Sequence, residues 1–144
     1  MNLRRTLRLT ILALLPLLSA CTRESQCKVS IGETAFTIRP NDALYRSLNT
    51  VGGYQYFTGG HRGVVIVRLY EDTFVAYDRT CPEDNDSQVS ASDAGGWGST
   101  LMECPTCHSR FNVYADGAPI DGSATSCSLF QYSTSYSGGE LTVY

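Results

Sequence analysis

The apolar positions of the chain fall into short runs that are separated by turns rich in glycine, proline and aspartate. The runs Val64–Tyr70 and Phe74–Asp78 contain mainly β-branched and aromatic residues, and residues 71–73 between them have the composition of a turn. Such runs favour β-strands. We therefore predict a β-hairpin at the centre of the chain.

The segments on both sides of this hairpin predict further strands. Residues 28–31 and 34–38 flank Gly32-Glu33 and predict a second hairpin. Residues 110–114 predict a strand, and the last sixteen residues predict two strands hinged at 137–139. The class that follows is all-β: a small antiparallel barrel or sandwich of many short strands.

One segment has the pattern of a helix. In residues 41–48, Asn41 or Asp42 is a candidate N-cap, and Leu44 and Leu48 are expected on one apolar face. Residues 84–98 are polar and glycine-rich, and they predict an exposed loop that carries Trp97.

The N-terminus has the organisation of a secretory signal, with Arg4, Arg5 and Arg8 before an apolar run at residues 9–18. This run is shorter than the roughly 20 residues of a membrane-spanning helix. The ending Leu-Ser-Ala-Cys resembles the lipobox of bacterial lipoproteins, which implies cleavage before Cys21 and acylation of its thiol. The alternative is an ordinary signal peptide cleaved after Ala20.

The division that follows is a lipoprotein signal peptide at 1–20, a tether at 21–26 and one domain at 27–144. The mature chain carries 8 Lys and Arg against 14 Asp and Glu. An acidic chain without basic clusters argues against nucleic acid as a partner. We expect a protein of the bacterial cell envelope that is attached to a membrane by its lipid.

Five cysteines follow Cys21, which are Cys27, Cys81, Cys104, Cys107 and Cys127. An oxidising compartment favours disulfides. Because five is odd, at least one thiol stays free, binds metal or pairs with another molecule.

Two Cys-Pro motifs carry the candidate chemistry: Cys81-Pro82-Glu83 and Cys104-Pro105-Thr106-Cys107-His108. Together with Phe111 and the Gly117–Gly122 motif, their spacing resembles the Rieske iron–sulfur domain, over about residues 64–144. The resemblance implies an all-β fold in which two loops hold a [2Fe–2S] cluster. It also implies electron transfer with a redox partner protein.

In Rieske centres two cysteines hold one iron and two histidines hold the other. By resemblance, Cys81 and Cys104 take the cysteine positions. Glu83 stands at the first histidine position and Cys107 at the second, with His108 one residue later. Two added negative charges would lower the reduction potential of a cluster, and the loss of imidazole protons would make it insensitive to pH.

Three other interpretations stay open. A zinc site would use Cys104 and Cys107 as one knuckle, completed by Cys81 and by His108 or Glu83. The pair Cys104 and Cys107 is also a C-x-x-C dithiol, although the helix that activates such thiols in known oxidants is not predicted here. A metal-free domain would keep its cysteines for disulfides.

In that last interpretation, Cys104 would pair with Cys107 or Cys81. A Cys27–Cys127 bridge would tie the two ends of the domain together. No Ser/His/Asp set, phosphate loop or spaced carboxylate pair stands out in the sequence. We therefore expect an electron-transfer or binding module and not an enzyme.

Overall fold

The computed structural model describes Cys27, residues 29–92 and residues 101–144. The predicted signal peptide, the tether with Cys21, and Trp97 lie outside the described residues. The described strands are β1 Phe36–Ile38, β2 Tyr54–Phe57, β3 Val64–Tyr70, β4 Thr73–Asp78, β5 Ser90–Ser92, β6 Leu101–Glu103, β7 Arg110–Asn112, β8 Ala118–Pro119, β9 Gln131–Tyr132, β10 Thr134–Ser137 and β11 Glu140–Val143.

In the described part of the chain these strands form three antiparallel sheets, so the predicted all-β class is confirmed. The central sheet has the order β2–β3–β4–β9. The terminal sheet is β1–β11–β10, and the loop sheet is β5–β6–β7–β8. Within the described residues, no helix has the length and apolar character that a membrane span requires.

The central sheet is covered on both faces. Successive side chains of a strand point to opposite faces. Val65 accordingly packs in one buried cluster with Phe111 of the loop sheet, and Ile66 packs in another with Leu141 of the terminal sheet. Burial on both faces explains why β3 is a continuous apolar run and does not alternate between apolar and polar residues.

Two of the predicted hairpins are confirmed. Strand β3 pairs with β4 from Val64 opposite Asp78 to Tyr70 opposite Thr73. Strands β10 and β11 pair around a turn at Gly138 and Gly139, both of which have positive φ.

The predicted N-terminal hairpin is wrong. Described residues 29–35 form no strand, and β1 pairs with β11, so that Phe36 lies opposite Val143. The reason is burial, because this pairing places Ile38 beside Leu141 in the core under the terminal sheet. The alternation of apolar and polar residues in this segment predicted a strand, but it could not predict which strand pairs with it.

The predicted helix is a 3-10 helix, Ala43–Asn49. Leu48 is fully buried but Leu44 is 79% exposed, so the predicted shared apolar face is wrong. Non-helical backbone angles at Tyr45 and the tighter 3-10 turn rotate the two leucines apart. Asp42 precedes the helix without a side-chain capping hydrogen bond.

Candidate metal centre

Two loops bring the candidate ligands together at one end of the central sheet. Cys81 follows the end of β4, and Cys104 directly follows β6. Backbone hydrogen bonds hold both cysteines in place, because the Cys81 amide donates to the Ser87 carbonyl at 2.9 Å and the Cys104 amide to the Ser109 carbonyl at 3.0 Å. These bonds fix each loop separately, and the Ser87 hydroxyl, 2.6 Å from Thr106 Oγ1, connects the two loops.

The three thiols of these loops form one group. The Sγ atoms of Cys81, Cys104 and Cys107 all lie within 4.8 Å of one another. The Sγ atoms of Cys81 and Cys107 are 3.6 Å apart. All three cysteines are free; Cys81 and Cys104 are buried and Cys107 is half-buried. Thiolates at this spacing are suitable ligands for a thiophilic metal ion.

The loops that begin at Cys81 and Cys104 form the same kind of turn. The Asn85 amide donates to the Cys81 carbonyl at 2.9 Å, and the His108 amide donates to the Cys104 carbonyl at 3.0 Å. Asn85 and His108 both have left-handed backbone angles, with φ of 56° and 57°. Asparagine and histidine are among the non-glycine residues that tolerate this conformation best.

The protein environment shifts the pKa values of Cys81 and Cys107 in opposite directions. Burial raises the pKa of Cys81, although the amides of Glu83 and Asp84 donate hydrogen bonds to its sulfur and act in the opposite direction. Burial also raises the pKa of Cys107, but its hydrogen bonds with the Ser109 hydroxyl and amide outweigh burial, so the net pKa is lowered. The Ser109 hydroxyl lies 3.2 Å from the Cys107 sulfur. Negative charge in the metal-free protein therefore favours Cys107 over Cys81.

Asp84 lies beside this group of three thiols and, like Glu83 and His108, outside it. The sequence pattern did not indicate Asp84 as a candidate ligand. Its Oδ2 atom is 4.0 Å from Cys104 Sγ. Its Oδ1 atom accepts hydrogen bonds from the amides of Asp86 at 2.9 Å and Ser87 at 2.8 Å. These bonds, led by the one from the Ser87 amide, keep the pKa of Asp84 below its ordinary value. The sequence feature that could have identified Asp84 as a candidate ligand is its position three residues after Cys81.

Glu83 and His108 lie outside the thiol group in the described structure. Glu83 is exposed. The His108 side chain is 76% exposed, and its Nδ1 atom faces Glu103 Oε1 at 3.6 Å. His61 lies in another loop, where its amide donates to Asp78 Oδ2 at 2.7 Å.

The remaining described cysteines form a disulfide. Cys27 and Cys127 are bonded, with a sequence separation of 100 residues. This bridge joins the start of the described chain to the segment before β9 and is separate from the thiol group.

The residues present do not fit a Rieske cluster. Such a cluster takes two cysteines on one iron and two histidines on the other. In this structure the group consists of three thiols, and Glu83, at the first histidine position, is outside it. Cys81 and Cys107, which the resemblance assigns to different irons, are only 3.6 Å apart.

Comparison with known proteins gives little further information. No family model matches the chain, and no curated protein matches it. Among solved structures, the chain is similar to the ferredoxin of carbazole 1,9a-dioxygenase from Nocardioides aromaticivorans IC177, at 22% identity and a TM-score of 0.43. The match covers 65% of this chain and 86% of the ferredoxin.

Proposed function

We propose that this chain is a metal-binding module of the bacterial envelope, in which Cys81, Cys104 and Cys107 hold a thiophilic metal. The observation that carries the proposal is the gathering of three free thiols within 4.8 Å at the tips of two loops. Free thiols placed this closely in an oxidising compartment would otherwise be expected to form a disulfide.

The surroundings of the thiols support metal binding. The amides of Glu83 and Asp84 donate to Cys81, the Ser109 amide donates to Cys107, and the Cys107 thiol is hydrogen-bonded to the Ser109 hydroxyl. Hydrogen bonds of this kind orient metal ligands and stabilise thiolate charge. Bound iron would supply one-electron redox chemistry, whereas bound zinc would supply none.

Electron transfer is the role that we propose for the module. Cys107 is half-buried, so one edge of the group reaches the surface, where a redox partner protein can approach. The opposite side is sealed by the apolar cluster that contains Cys81 and Cys104. Such a site binds a metal away from bulk water but leaves one side available to a partner.

We also propose that the module is a lipoprotein, anchored through acylated Cys21. The motif Leu18-Ser19-Ala20-Cys21 supports this assignment. Cells that express Cys21→Ser should lose incorporation of labelled fatty acid and release the protein from the membrane fraction. Retention of both label and membrane attachment would contradict it.

The metal-binding proposal is tested on the full-length protein, purified in detergent without oxygen. We expect iron or zinc in the wild type and a strong loss of metal in Cys81→Ser, Cys104→Ser and Cys107→Ser. The matched control is the double variant Cys27→Ser/Cys127→Ser, which removes two cysteines outside the group and should keep its metal. If wild-type protein contains no metal and takes up neither Fe²⁺ nor Zn²⁺, the proposal is wrong.

The redox role requires a separate measurement. Iron-loaded protein should take up and release one electron per chain reversibly, as followed by its visible spectrum. A spectrum that does not change between oxidising and reducing conditions would contradict electron transfer and leave a structural metal site.

A further inference from the structure

We propose that the centre binds a single metal ion with four ligands, and that the fourth ligand is the Asp84 carboxylate. This inference rests on the proposed metal-binding function and specifies its donor set as three sulfurs and one oxygen. A single ion in this site would stand where the resemblance implies a two-iron cluster.

The equivalence of the two loops is the first argument. Cys81-Pro82-Glu83-Asp84-Asn85 and Cys104-Pro105-Thr106-Cys107-His108 begin alike, close with the same backbone hydrogen bond and end in the same left-handed conformation. In this alignment Asp84 is the counterpart of Cys107. Equivalent backbones direct equivalent side chains to the same side, and Cys107 faces the other two thiols.

The neighbouring positions agree with this alignment. Glu83 is the counterpart of Thr106, and both are exposed. His108 is the counterpart of Asn85, and both supply the left-handed residue that ends the turn. The loops therefore form two knuckles of the form Cys-x-x-ligand, with Asp84 as ligand in the first and Cys107 in the second.

The three sulfurs are close enough to share one ion, and Asp84, which lies outside their group, would complete it after a small shift of its carboxylate toward them. With metal–sulfur bonds of about 2.3 Å, tetrahedral geometry places ligand sulfurs about 3.8 Å apart. The sulfurs of Cys81 and Cys107 are 3.6 Å apart. A sulfur and an oxygen on the same tetrahedral ion lie about 3.5 Å apart, and Cys104 Sγ and Asp84 Oδ2 are 4.0 Å apart. Ligands on opposite irons of a cluster would have to span both metals and lie farther apart.

The carboxylate is held in place before any metal binds. The amides of Asp86 and Ser87 fix Oδ1, and the Ser87 hydroxyl lies 2.8 Å from Oδ2. The same hydroxyl is 2.6 Å from Thr106 Oγ1, so Ser87 links the two knuckles. Ligating carboxylates are commonly hydrogen-bonded in this way, which sets their orientation.

The donor set selects the kind of metal. Three thiolates favour zinc or iron over the hard cations Mg²⁺ and Ca²⁺, and a carboxylate oxygen is an accepted ligand of tetrahedral zinc. Thiols must lose their protons when they bind, so uptake of metal should release protons.

The test uses Co²⁺ as a spectroscopic substitute for zinc or iron, added to metal-free full-length protein. We expect saturation at one Co²⁺ per chain, with the strong visible bands of a tetrahedral thiolate site. Asp84→Ala should bind Co²⁺ about 10–100-fold more weakly, by analogy with the loss of groups that support metal sites. Glu83→Ala is the matched control in the same loop and should bind as the wild type does.

A second variant protects the test against simple misfolding. Asp84→Cys converts the centre to four thiolates, which should bind more tightly and raise the sulfur-to-cobalt charge-transfer absorbance by about a third. Glu83→Cys should give no such increase. Because unfolded chains with free cysteines also bind metal, circular dichroism of the same samples must show that the variant is folded.

The outcomes separate this inference from the proposed function. If wild-type protein binds metal but Asp84→Ala binds it equally well, the Asp84 assignment is wrong and the metal-binding function stands. Two irons with two acid-labile sulfides per chain would overturn the single-ion inference in the same way. If the wild type binds no metal at all, the proposed function itself fails.

Discussion

Asn85 and His108 end two equivalent turns, each with its amide bonded to the carbonyl of the cysteine that begins the turn. Their φ angles are 56° and 57°, in the region that glycine adopts without strain. The structure thereby gives His108 a backbone role at a position where the sequence suggested a metal ligand.

We predict that His108→Gly keeps metal affinity and stability close to the wild type, since glycine fits a left-handed position. His108→Val should lose about 1–2 kcal/mol of stability, because a β-branched residue is strained there. Urea unfolding and Co²⁺ titration measure both effects. A strong loss of metal in His108→Gly would instead identify His108 as a ligand.

The Cys27–Cys127 disulfide closes a long loop, because the two cysteines have a sequence separation of 100. Because the bridge restricts the unfolded chain, its removal in Cys27→Ser/Cys127→Ser should lower the free energy of unfolding by about 2–5 kcal/mol. Urea unfolding with and without reductant measures the effect. The reduced wild type should match the double variant, and equal stability of oxidised and reduced protein would contradict the prediction.

Asp78 organises the loop before β3. Its fully buried carboxylate accepts hydrogen bonds from the His61 amide at 2.7 Å and from the Tyr132 hydroxyl at 2.7 Å. The Gly60 backbone has positive φ, and a Cβ there would collide with Asp78 Oδ2. Burial raises the pKa of Asp78, but hydrogen bonds from Thr80, His61 and Tyr132 outweigh it and lower the pKa.

A lowered pKa means that Asp78 stabilises the fold at neutral pH. This contribution is lost as the pH falls below the unfolded pKa of about 3.9 and through the lower folded value. Asp78→Asn should therefore cost on the order of 1–3 kcal/mol at pH 7. The difference from the wild type should shrink in urea unfolding below about pH 4. A difference independent of pH would show that the charge of Asp78 contributes nothing.

Tyr77 is fully buried, and its hydroxyl donates to the Val113 carbonyl at 3.0 Å. Burial, aided by the charge of Asp116, raises the pKa of Tyr77 to about 12. The neutral form is therefore favoured by folding, and its contribution is lost as the pH rises from about 10 through the folded value. Tyr77→Phe should cost about 1 kcal/mol at pH 7. It should also remove one late-titrating phenol from the alkaline absorbance titration.

Bound metal should change the rate at which the three thiols are alkylated. In metal-free protein, half-buried Cys107 should be alkylated faster than buried Cys81 or Cys104, because access and the lowered pKa both favour it. Bound metal should protect all three thiols. Mass spectrometry of peptides after timed iodoacetamide treatment measures the order. Equal labelling rates with and without metal would contradict a role for these thiols as ligands.

Local chemistry made much of the fold predictable. The β-branched run of β3, the turn after it and the glycine turn between β10 and β11 follow from backbone preferences of neighbouring residues. The two Cys-Pro motifs also identified three cysteines that the structure brings together. These features depend on residues that lie close in sequence.

The partners of distant segments depended on burial across the whole domain. Strand β1 pairs with β11, about a hundred residues away, because Ile38 and Leu141 then share a core, and no local pattern specifies that contact. In the first knuckle Glu83 is exposed, whereas Asp84 Oδ2 lies 4.0 Å from Cys104 Sγ, a contact with the other loop that no local pattern specifies. The sequence by itself determined which residues could bind a metal, and tertiary packing decided which of them point at one another.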